Sequence, residues 1–456
     1  MSAMAIGRVR DLPILGALRV RDFRLLWASE AVSVIGDQFH FVAMSWLVIS
    51  LTGSGLALGT VLIAVGVPRA ILLVPFGVMA DRRSPRTMML AAHGARALIV
   101  GGVAALVISG HASIPALAAL GALFGCADAA YMPAQQAFLP RTLDAERLPS
   151  ANALLQGTMQ LASIAGPPLA GIVVAIAGAG TAFAVDATSF LLAGVIVVLI
   201  TSAAVAGVTA AVPRVPVEAS LASVSSPASP AIDAPDAPAG ESFRAALMGG
   251  VRYVAADAGI RTMLLLSLVL NFALNGPAAV GMPWLAERRF DAGPTGLGLM
   301  AAAWAAGALA GTLAAGSIRL ERGGRVILAS IAIAGVSMAI TGLASWMPVV
   351  VVALAVMGLA IGYTNVIAIS WLQARVEPAM AGRVMSVVML MGFGITPLSL
   401  GIAGALIDLD ATAMFTGAGI LVLGAAALAV VLGASALFDA VPRQAAAAPP
   451  VASDVQ

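Results

Sequence analysis

The chain has 456 residues, of which 61% are hydrophobic and 10% are charged. Soluble domains are about half apolar and a quarter charged, so this composition excludes an ordinary soluble protein and predicts an integral membrane protein. All 24 basic residues are Arg and the net charge is only +2, a balance that reflects loop topology and predicts no nucleic-acid partner.

Long windows without any Asp, Glu, Lys or Arg locate the membrane spans. They cover residues 38–68, 97–127, 148–185, 326–374 and 384–407. A membrane-spanning helix needs about 20 apolar residues, so most of these windows hold one or two spans. Short breakers such as "TGSG" at 52–55 separate neighbouring spans.

The apolar runs predict an all-α fold of twelve transmembrane helices. In the first half, the helices are predicted at 23–51, 56–80, 87–109, 114–138, 149–177 and 181–206. In the second half, they are predicted at 261–286, 294–318, 325–344, 347–374, 383–408 and 412–437.

Pro, Ala and Ser dominate the segment that divides the twelve helices six and six. We interpret residues 207–250 as a disordered cytoplasmic linker between two six-helix bundles, 23–206 and 251–438. Residues 1–22 lack the apolar core of a signal peptide and are expected to be a cytoplasmic N-terminal segment. Residues 439–456 are predicted to be a disordered cytoplasmic tail.

The distribution of Arg predicts the orientation of the helices. With the N-terminus in the cytoplasm, most Arg residues lie on cytoplasmic segments or at cytoplasmic helix ends, as Arg24, Arg141, Arg252 and Arg325 do. Basic loops favour the cytoplasmic side. We therefore expect a multi-pass protein of the cytoplasmic (inner) membrane with both termini inside, surrounded by the lipid bilayer and monomeric.

Two segments of the chain have similar sequences at corresponding places in the two halves. "GVMADRRSPRTM" at 77–88 follows helix 2, and "GSIRLERGGRVI" at 316–327 follows helix 8. Repeated halves are typical of transporters that bind substrate near the membrane midplane, between the halves. The repeat therefore favours two pseudo-symmetric six-helix bundles with a site between them.

The segment after helix 2 resembles the loop 2–3 motif of the major facilitator superfamily, Gly-x-Leu-Ala-Asp-Arg-x-Gly-Arg-Lys. The matching positions are Gly77, Ala80, Asp81, Arg82 and Arg86. The resemblance implies the major facilitator fold and a cytoplasmic gate. In that gate, Asp81 would bridge to Arg383 and to the N-terminus of helix 11, whose partial positive charge favours a carboxylate.

Two further stretches carry the resemblance. "GPPLAG" in helix 5 resembles the antiporter motif Gly-Pro-x-x-Gly-Gly at Gly166, Pro167 and Gly171. "RDFRLLWASEAVSVIGDQFHFVAMSWLV" at 21–48 is similar to helix 1 of the drug and siderophore exporters of the macrolide and enterobactin type. These likenesses imply efflux by antiport. The Gly-Pro residues themselves predict a kinked helix 5, which either seals the cavity beside helix 8 or has no such role, since Pro-kinked membrane helices are common.

Two carboxylates lie seven residues apart on helix 1 and so share nearly one helix face. An ionisable group inside a membrane costs about 2.5–3.5 kcal/mol on insertion scales and usually serves a role. Asp37, near mid-span, is the first candidate for a proton-coupling carboxylate; the alternative is a structural hydrogen-bonding group. Glu30 is a second candidate, or else it is solvated or paired with a basic residue near the cytoplasm.

Charged residues on helices 2, 3, 4 and 6 extend this set. We expect Arg69 to pair with Asp37, either as a static brace or as a pair that protonation breaks. Asp128, at mid-span in helix 4, is a coupling candidate or a packing group. Arg96 is expected to snorkel, or to brace Asp81 or Asp128, and Asp186 is expected to be hydrated near the outer end of helix 6.

The candidates for contact with a substrate are polar residues spread over helices 1, 7 and 10. They are His40, Asn271, Asn275, Tyr363 and Asn365. Such side chains either line a cavity and hydrogen-bond a ligand or join neighbouring helices. The second half has almost no charge inside its spans, so any coupled proton is expected to bind in the first half.

The leading hypothesis is a secondary transporter, a proton-coupled antiporter that exports small amphipathic molecules such as drugs or metabolites by alternating access. Alternatives are a siderophore or lysophospholipid carrier, an uptake symporter, and a non-transporting membrane receptor or assembly protein. The chain has no Gly-x-x-x-x-Gly-Lys-Ser/Thr phosphate loop and no Cys/His metal constellation. We therefore expect no enzyme activity, no cofactor and no metal, with the proton gradient as the driving force.

Overall fold

The computed structural model describes residues 13–200, 243–317, 323–377 and 380–439. Ten helical segments in these ranges are long and apolar enough to cross a membrane. Two of them, Leu148–Val198 and Ala381–Val431, have 51 residues each and would be about 76 Å long if straight. Each contains one residue with a non-helical backbone, Gly178 (φ 81°) and Asp410 (ψ 104°). Division at these residues produces twelve spans, as predicted.

The first six spans fill the first bundle. Helices 1 to 4 are Arg21–Thr52, Gly55–Arg82, Pro85–Ile108 and Ile114–Thr142, and helices 5 and 6 share Leu148–Val198. One short helical turn, Pro13–Arg19, precedes helix 1, and another, Ala145–Arg147, precedes helix 5.

The second bundle contains the other six. Helix 7 is Ala258–Gly276, continued by Pro277–Gly281, Met282–Trp284 and Leu285–Arg289, of which the first and last are π-helical. Helices 8 to 10 are Gly293–Ser317, Gly323–Leu343 and Met347–Arg375, and helices 11 and 12 share Ala381–Val431. A last short helix, Ala434–Asp439, follows them.

Small residues set the packing distances inside each bundle. Helix 2 packs along helix 4, and helix 8 packs along helix 10. A Cβ atom added to Gly125 would lie 2.1 Å from the Val65 carbonyl oxygen, and one added to Gly311 would lie 2.0 Å from the Leu359 carbonyl oxygen. Such glycines let membrane helices approach to backbone contact.

The two bundles meet along two pairs of helices, 5 with 8 and 2 with 11. A Cβ atom at Gly59 would lie 2.8 Å from the Leu400 carbonyl oxygen, and one at Gly404 would lie 2.7 Å from that of Gly55. These contacts lie where Gly53 and Ser54 join helices 1 and 2, which we call the loop 1–2 end. The opposite end, where Arg83 and Ser84 join helices 2 and 3, is the loop 2–3 end.

A helix precedes the second bundle where disorder was predicted. Residues Phe243–Ala256 are helical, so the assignment of 243–250 to a disordered linker is corrected. This helix packs on helix 11, where a Cβ atom at Gly250 would lie 2.6 Å from the Arg383 carbonyl oxygen. The stretch lacks the prolines of the preceding segment. Residues 207–242 lie outside the described ranges.

The other two terminal predictions fall only partly on described residues. Residues 13–19 of the N-terminal segment form a helical turn, and 1–12 lie outside the description. Asp439 belongs to the last helix and accepts a hydrogen bond from the Gly324 N–H at 2.8 Å, so the bundle extends one residue further than predicted. Residues 440–456 lie outside the described ranges.

Candidate functional site

A carboxylate on helix 4 joins three helices of the first bundle. Asp128 Oδ1 lies 2.6 Å from Arg96 Nη2 on helix 3, and Asp128 Oδ2 lies 3.0 Å from Arg69 Nη1 on helix 2. The predicted pairing of Arg69 with Asp37 is therefore wrong, because helix 2 packs along helix 4 far more than along helix 1. The expectation that Arg96 braces Asp128 is confirmed.

Arg96 is the buried centre of this cluster. Its side chain is only 3% exposed, and its guanidinium lies 4.4 Å from the centroid of the Tyr131 ring and 5.2 Å from that of Phe190. Aromatic faces attract a cation, most strongly where water is excluded. Because a carboxylate and two rings surround it, the positive charge of Arg96 is compensated within the bundle rather than by snorkelling to the surface.

Glu30 is also buried, and its partner is a tyrosine. The Tyr131 hydroxyl donates a hydrogen bond to Glu30 Oε2 at 2.5 Å, and Glu30 is 6% exposed. The expectation that Glu30 is solvated or salt-bridged near the cytoplasm is therefore corrected. Tyr131 links the helix 1 carboxylate to the Arg96–Asp128 pair, so helices 1, 3 and 4 share one polar network.

Asp37 differs from Glu30, Asp128 and Asp186, three other carboxylates within the spans of the first bundle. Its side chain is partly exposed, and within the described part of the chain no hydrogen bond or ion pair reaches it. It lies in the electrostatic field of the Arg96 guanidinium and of the carboxylates of Asp186, Asp128 and Glu30. Asp37 therefore differs from Asp128, which two guanidiniums hold, and from Glu30, which a tyrosine hydroxyl holds.

A second buried pair lies nearer the loop 1–2 end. His40 Nδ1 is 3.2 Å from Asp186 Oδ2, and Asp186 is fully buried. The His40 ring stacks on Phe124 with centroids 4.7 Å apart. The expectation that Asp186 is hydrated is therefore wrong, because helix 6 turns this residue towards helix 1. His40, predicted to line a substrate cavity, is held inside the first bundle by this contact.

The predicted substrate-contact residues of the second bundle lie on two helices. On helix 7, the Asn275 side chain donates to Asn271 Oδ1 at 3.2 Å, and Asn271 Nδ2 donates to the Ser267 carbonyl at 2.8 Å. On helix 10, Tyr363 is buried and Asn365 is exposed. The two asparagines thus form one ladder along helix 7, separate from the helix 10 residues.

The loop 2–3 motif holds the end of helix 6. Arg86 donates to the carbonyls of Val197 at 3.3 Å and Val198 at 2.7 Å, where unpaired carbonyls favour a cation. Arg82 is exposed and Gly77 is partly buried. The side chain of Asp81 lies outside the described part of the structure, so its latch with Arg383 stays a prediction.

The helix 5 motif lies at the junction of the bundles. A Cβ atom at Gly166 would lie 2.4 Å from Gln38 Cγ on helix 1, and one at Gly171 would lie 2.4 Å from the Pro294 carbonyl oxygen, next to helix 8. The carbonyl of Pro167 is equally close to the Cβ position of Gly298. The motif therefore brings helix 5 into backbone contact with helix 8.

Two members of the buried network were not predicted. Tyr131 follows Asp128 by three residues on helix 4, and His93 precedes Arg96 by three on helix 3. Residues three apart share a helix face, which is the signal that would have added them. His93 is fully buried, its ring centroid is 4.7 Å from that of Tyr131, and neither ring nitrogen has a hydrogen-bond partner.

The described residues contain no group of three or more His, Cys, Asp or Glu placed to hold a metal ion. The network is instead a set of ion pairs and hydrogen bonds inside a membrane-spanning bundle. The family model of the Major Facilitator Superfamily matches residues 26–395, from helix 1 into helix 11. The chain belongs to the Major Facilitator Superfamily. This membership confirms the fold class and the family that the motifs indicated.

Known members of the Major Facilitator Superfamily that this chain is similar to include drug exporters. It is 22% identical over 370 residues to macrolide efflux protein A of Streptococcus pyogenes, covering 80% of this chain and 84% of that protein. It is 26% identical over 406 residues to the multidrug efflux pump Tap of Mycolicibacterium fortuitum, covering 86% of this chain and 91% of that protein. The protein is thus a multi-pass membrane transporter rather than a scaffold.

Solved structures of transporters share its fold. A bacterial homologue of the iron transporter ferroportin, in its inward-facing state, matches with a TM-score of 0.64 at 17% identity. The match covers 92% of this chain and 98% of that one. The shared fold therefore extends over nearly the whole of both chains.

Proposed function

We propose that this transporter exports small amphipathic molecules in exchange for protons. The observation that carries the proposal is the contrast between Asp37 and its neighbours. Asp128 is held by two guanidiniums and Glu30 by a tyrosine hydroxyl, whereas Asp37 is partly exposed and has no such partner among the described residues.

Proton exchange needs a carboxylate that water can reach and that no ion pair holds in its charged form. A buried ion pair resists the loss of either partner, because the remaining charge is left uncompensated. Asp128 is therefore suited to bracing helices 2, 3 and 4. Asp37 can bind a proton when water reaches it and can lose its charge before the bundles close around it, since the protonated form is cheaper to desolvate.

The residues of the second bundle favour an amphipathic substrate. It offers the amide ladder of Asn271 and Asn275 on helix 7, among apolar side chains. Ligand sites are mostly apolar with a few placed polar groups. Export rather than import is favoured by the names of the relatives, a macrolide efflux protein and a multidrug efflux pump.

The remaining parts of the proposal concern energy and location. We propose that the proton gradient alone drives transport, without a cofactor, and that the transporter works as a monomer in the cytoplasmic membrane with both termini inside. The basis is the excess of Arg on the loops assigned to the cytoplasm.

The deciding experiment is transport into everted membrane vesicles from cells that express the full chain. A panel of macrolides, lipophilic cations and neutral amphiphiles is offered with an imposed proton gradient, and vesicles without the protein serve as the control. We expect accumulation of at least one compound and its loss on adding a proton uncoupler. Accumulation that the uncoupler leaves unchanged would refute proton coupling, and proton-driven movement out of the vesicles would indicate an uptake symporter.

A further inference from the structure

One carboxylate of the second bundle binds the start of a helix in the first. Asp408, near the end of helix 11, accepts hydrogen bonds from the N–H groups of Gly55 at 2.7 Å and Leu56 at 3.1 Å. It also accepts one from the Ser54 hydroxyl at 2.7 Å. Gly55 is the first residue of helix 2, so three hydrogen bonds cross between the bundles at one point.

The chemistry of this contact is that of a helix cap supplied by another part of the chain. The first N–H groups of a helix have no partner within it, and its N-terminus carries a partial positive charge. Ser54 caps the helix by accepting from the Ala57 N–H at 3.2 Å. Asp408 satisfies two further N–H groups with a full negative charge, and such charge-assisted bonds are about twice as strong as neutral ones.

The residues around Asp408 are packed so that the contact forms only when the bundles are close. A Cβ atom at Gly55 would lie 2.1 Å from Ile407 Cγ2, and one at Gly53 would lie 1.5 Å from Arg288 Nη2 on helix 7. Gly53 adopts φ 63°, a left-handed conformation that favours glycine. The turn 52–55 is thus enclosed by helices 7 and 11 of the opposite bundle.

We propose that Asp408 and the turn 52–55 form a latch that holds the loop 1–2 end closed and must release before that end opens. Two of its three hydrogen bonds are solvent-exposed, so water replaces them when the bundles part. The latch is therefore reversible, unlike the buried Arg96–Asp128 pair. It acts on the conformational equilibrium of the fold and does not depend on the substrate or on proton coupling.

The test measures the separation of the bundles at the loop 1–2 end. The single native Cys, Cys126, is replaced by Ser, and spin labels are attached at Ser113→Cys and Ser345→Cys. Both positions are exposed and lie in the loops before helices 4 and 10 of opposite bundles. Distances are measured by pulsed electron paramagnetic resonance on the full chain in lipid nanodiscs, without substrate or gradient.

Asp408→Asn removes the charge and keeps the shape of the side chain. We expect the ratio of long to short distances to rise about tenfold, the factor that corresponds to the loss of about one charge-assisted hydrogen bond. Asp410→Asn is the matched control: Asp410 accepts from the Ala413 N–H at 3.0 Å and so caps helix 12 within its own bundle. Its distance distribution should equal that of the parent.

A second variant covers the case in which Asp408→Asn does not fold. Ser54→Ala removes one of the three cross-bundle bonds, together with the cap that the Ser54 hydroxyl gives helix 2. It leaves helix 11 untouched, so it should produce a smaller shift in the same direction. Distance distributions identical to the parent in every folded variant would overturn the proposal, as would equal shifts in Asp408→Asn and Asp410→Asn. The distance measurements test only the latch, and the vesicle transport assays test only the proposed efflux function. A negative result in one experiment therefore does not contradict the other proposal.

Discussion

At the scale of single residues, the carboxylates inside the first bundle differ in their bonding partners. Asp128, Glu30 and Asp186 each have a cation, a hydroxyl or an imidazole within 3.2 Å. Asp37 has no such partner among the described residues and lies partly exposed. The three paired carboxylates therefore join helices. In the proposed mechanism, Asp37 is the carboxylate that binds a proton.

Asp37→Asn should abolish proton-driven export while leaving the protein folded. The amide keeps the size of the side chain but cannot take up and release a proton. Uptake into everted vesicles measures export, and substrate exchange without a gradient measures the surviving alternation between states. We expect gradient-driven uptake to fall at least tenfold and exchange to persist. Unchanged gradient-driven uptake in this variant would remove Asp37 from the proposed mechanism.

Asp128→Asn should act on stability first. It leaves Arg96, which is 3% exposed, without its carboxylate, and breaking a buried ion pair costs about 3–5 kcal/mol. We expect a lower melting temperature in detergent and reduced yield. The comparison with Asp37→Asn separates the two roles, because equal melting temperatures in these variants would show that Asp128 is not a brace.

At the scale of elements, glycines decide how helices meet across the bundles. Helices 5 and 8 touch through Gly171 and Gly298, each of whose Cβ positions lies 2.4 Å from a carbonyl oxygen of the opposite chain segment. Helices 2 and 11 meet in the same way through Gly59 and Gly404. Such contacts leave no room for a side chain, so the closed geometry of the loop 1–2 end depends on them.

Gly171→Ala should therefore reduce transport, whereas Gly157→Ala on the same helix should not. The added methyl group at 171 would meet the Pro294 carbonyl, while nothing lies within 4 Å of a Cβ atom at 157. Overpacking of this kind costs about 1–3 kcal/mol. We expect about a tenfold loss of vesicle uptake for Gly171→Ala and less than a twofold loss for Gly157→Ala. Similar losses in both variants would show that an added methyl group reduces transport by changing helix 5 itself, and not by meeting the Pro294 carbonyl.

At the scale of the whole molecule, the two bundles differ in their polar contacts. The contacts of Glu30, Arg69, Arg96, Asp128 and Asp186 lie in the first, on helices 1 to 4 and 6. The second has the Asn271–Asn275 ladder and the Asp257–Arg375 ion pair. Bundle-to-bundle contacts at the loop 1–2 end combine glycine packing with the Asp408 hydrogen bonds. In the proposed mechanism, proton exchange therefore belongs to the first bundle, and the latch belongs to the contact between the two bundles.

Deletion of residues 212–238 should leave transport within about twofold of the full chain. This Pro-, Ala- and Ser-rich stretch cannot bury a core, and the helix Phe243–Ala256 that packs on helix 11 remains intact in the deletion. Vesicle uptake normalised to the amount of protein in the membrane tests this. Loss of uptake at normal protein levels would show that the segment is more than a tether between the bundles.

The sequence by itself determined the fold class, the twelve spans and the membership of the superfamily. These depend on local properties: runs of about 20 apolar residues, breakers between them, the Arg bias and a motif at a helix end. Span boundaries inside Leu148–Val198 and Ala381–Val431 were also readable, because Gly178 and Asp410 interrupt the two helices near the predicted breaks. The packed helix at 243–256 was missed, since its partner is helix 11.

Only the tertiary structure decided which charges pair. Arg69 was expected to form a salt bridge with Asp37. Because helix 2 packs along helix 4, Arg69 pairs instead with Asp128, which also pairs with Arg96. Depth in the membrane follows from position along one helix, whereas a salt bridge depends on the rotation and neighbours of two helices. For the same reason, only the folded chain brings Asp408 to the start of helix 2, 353 residues earlier in the sequence.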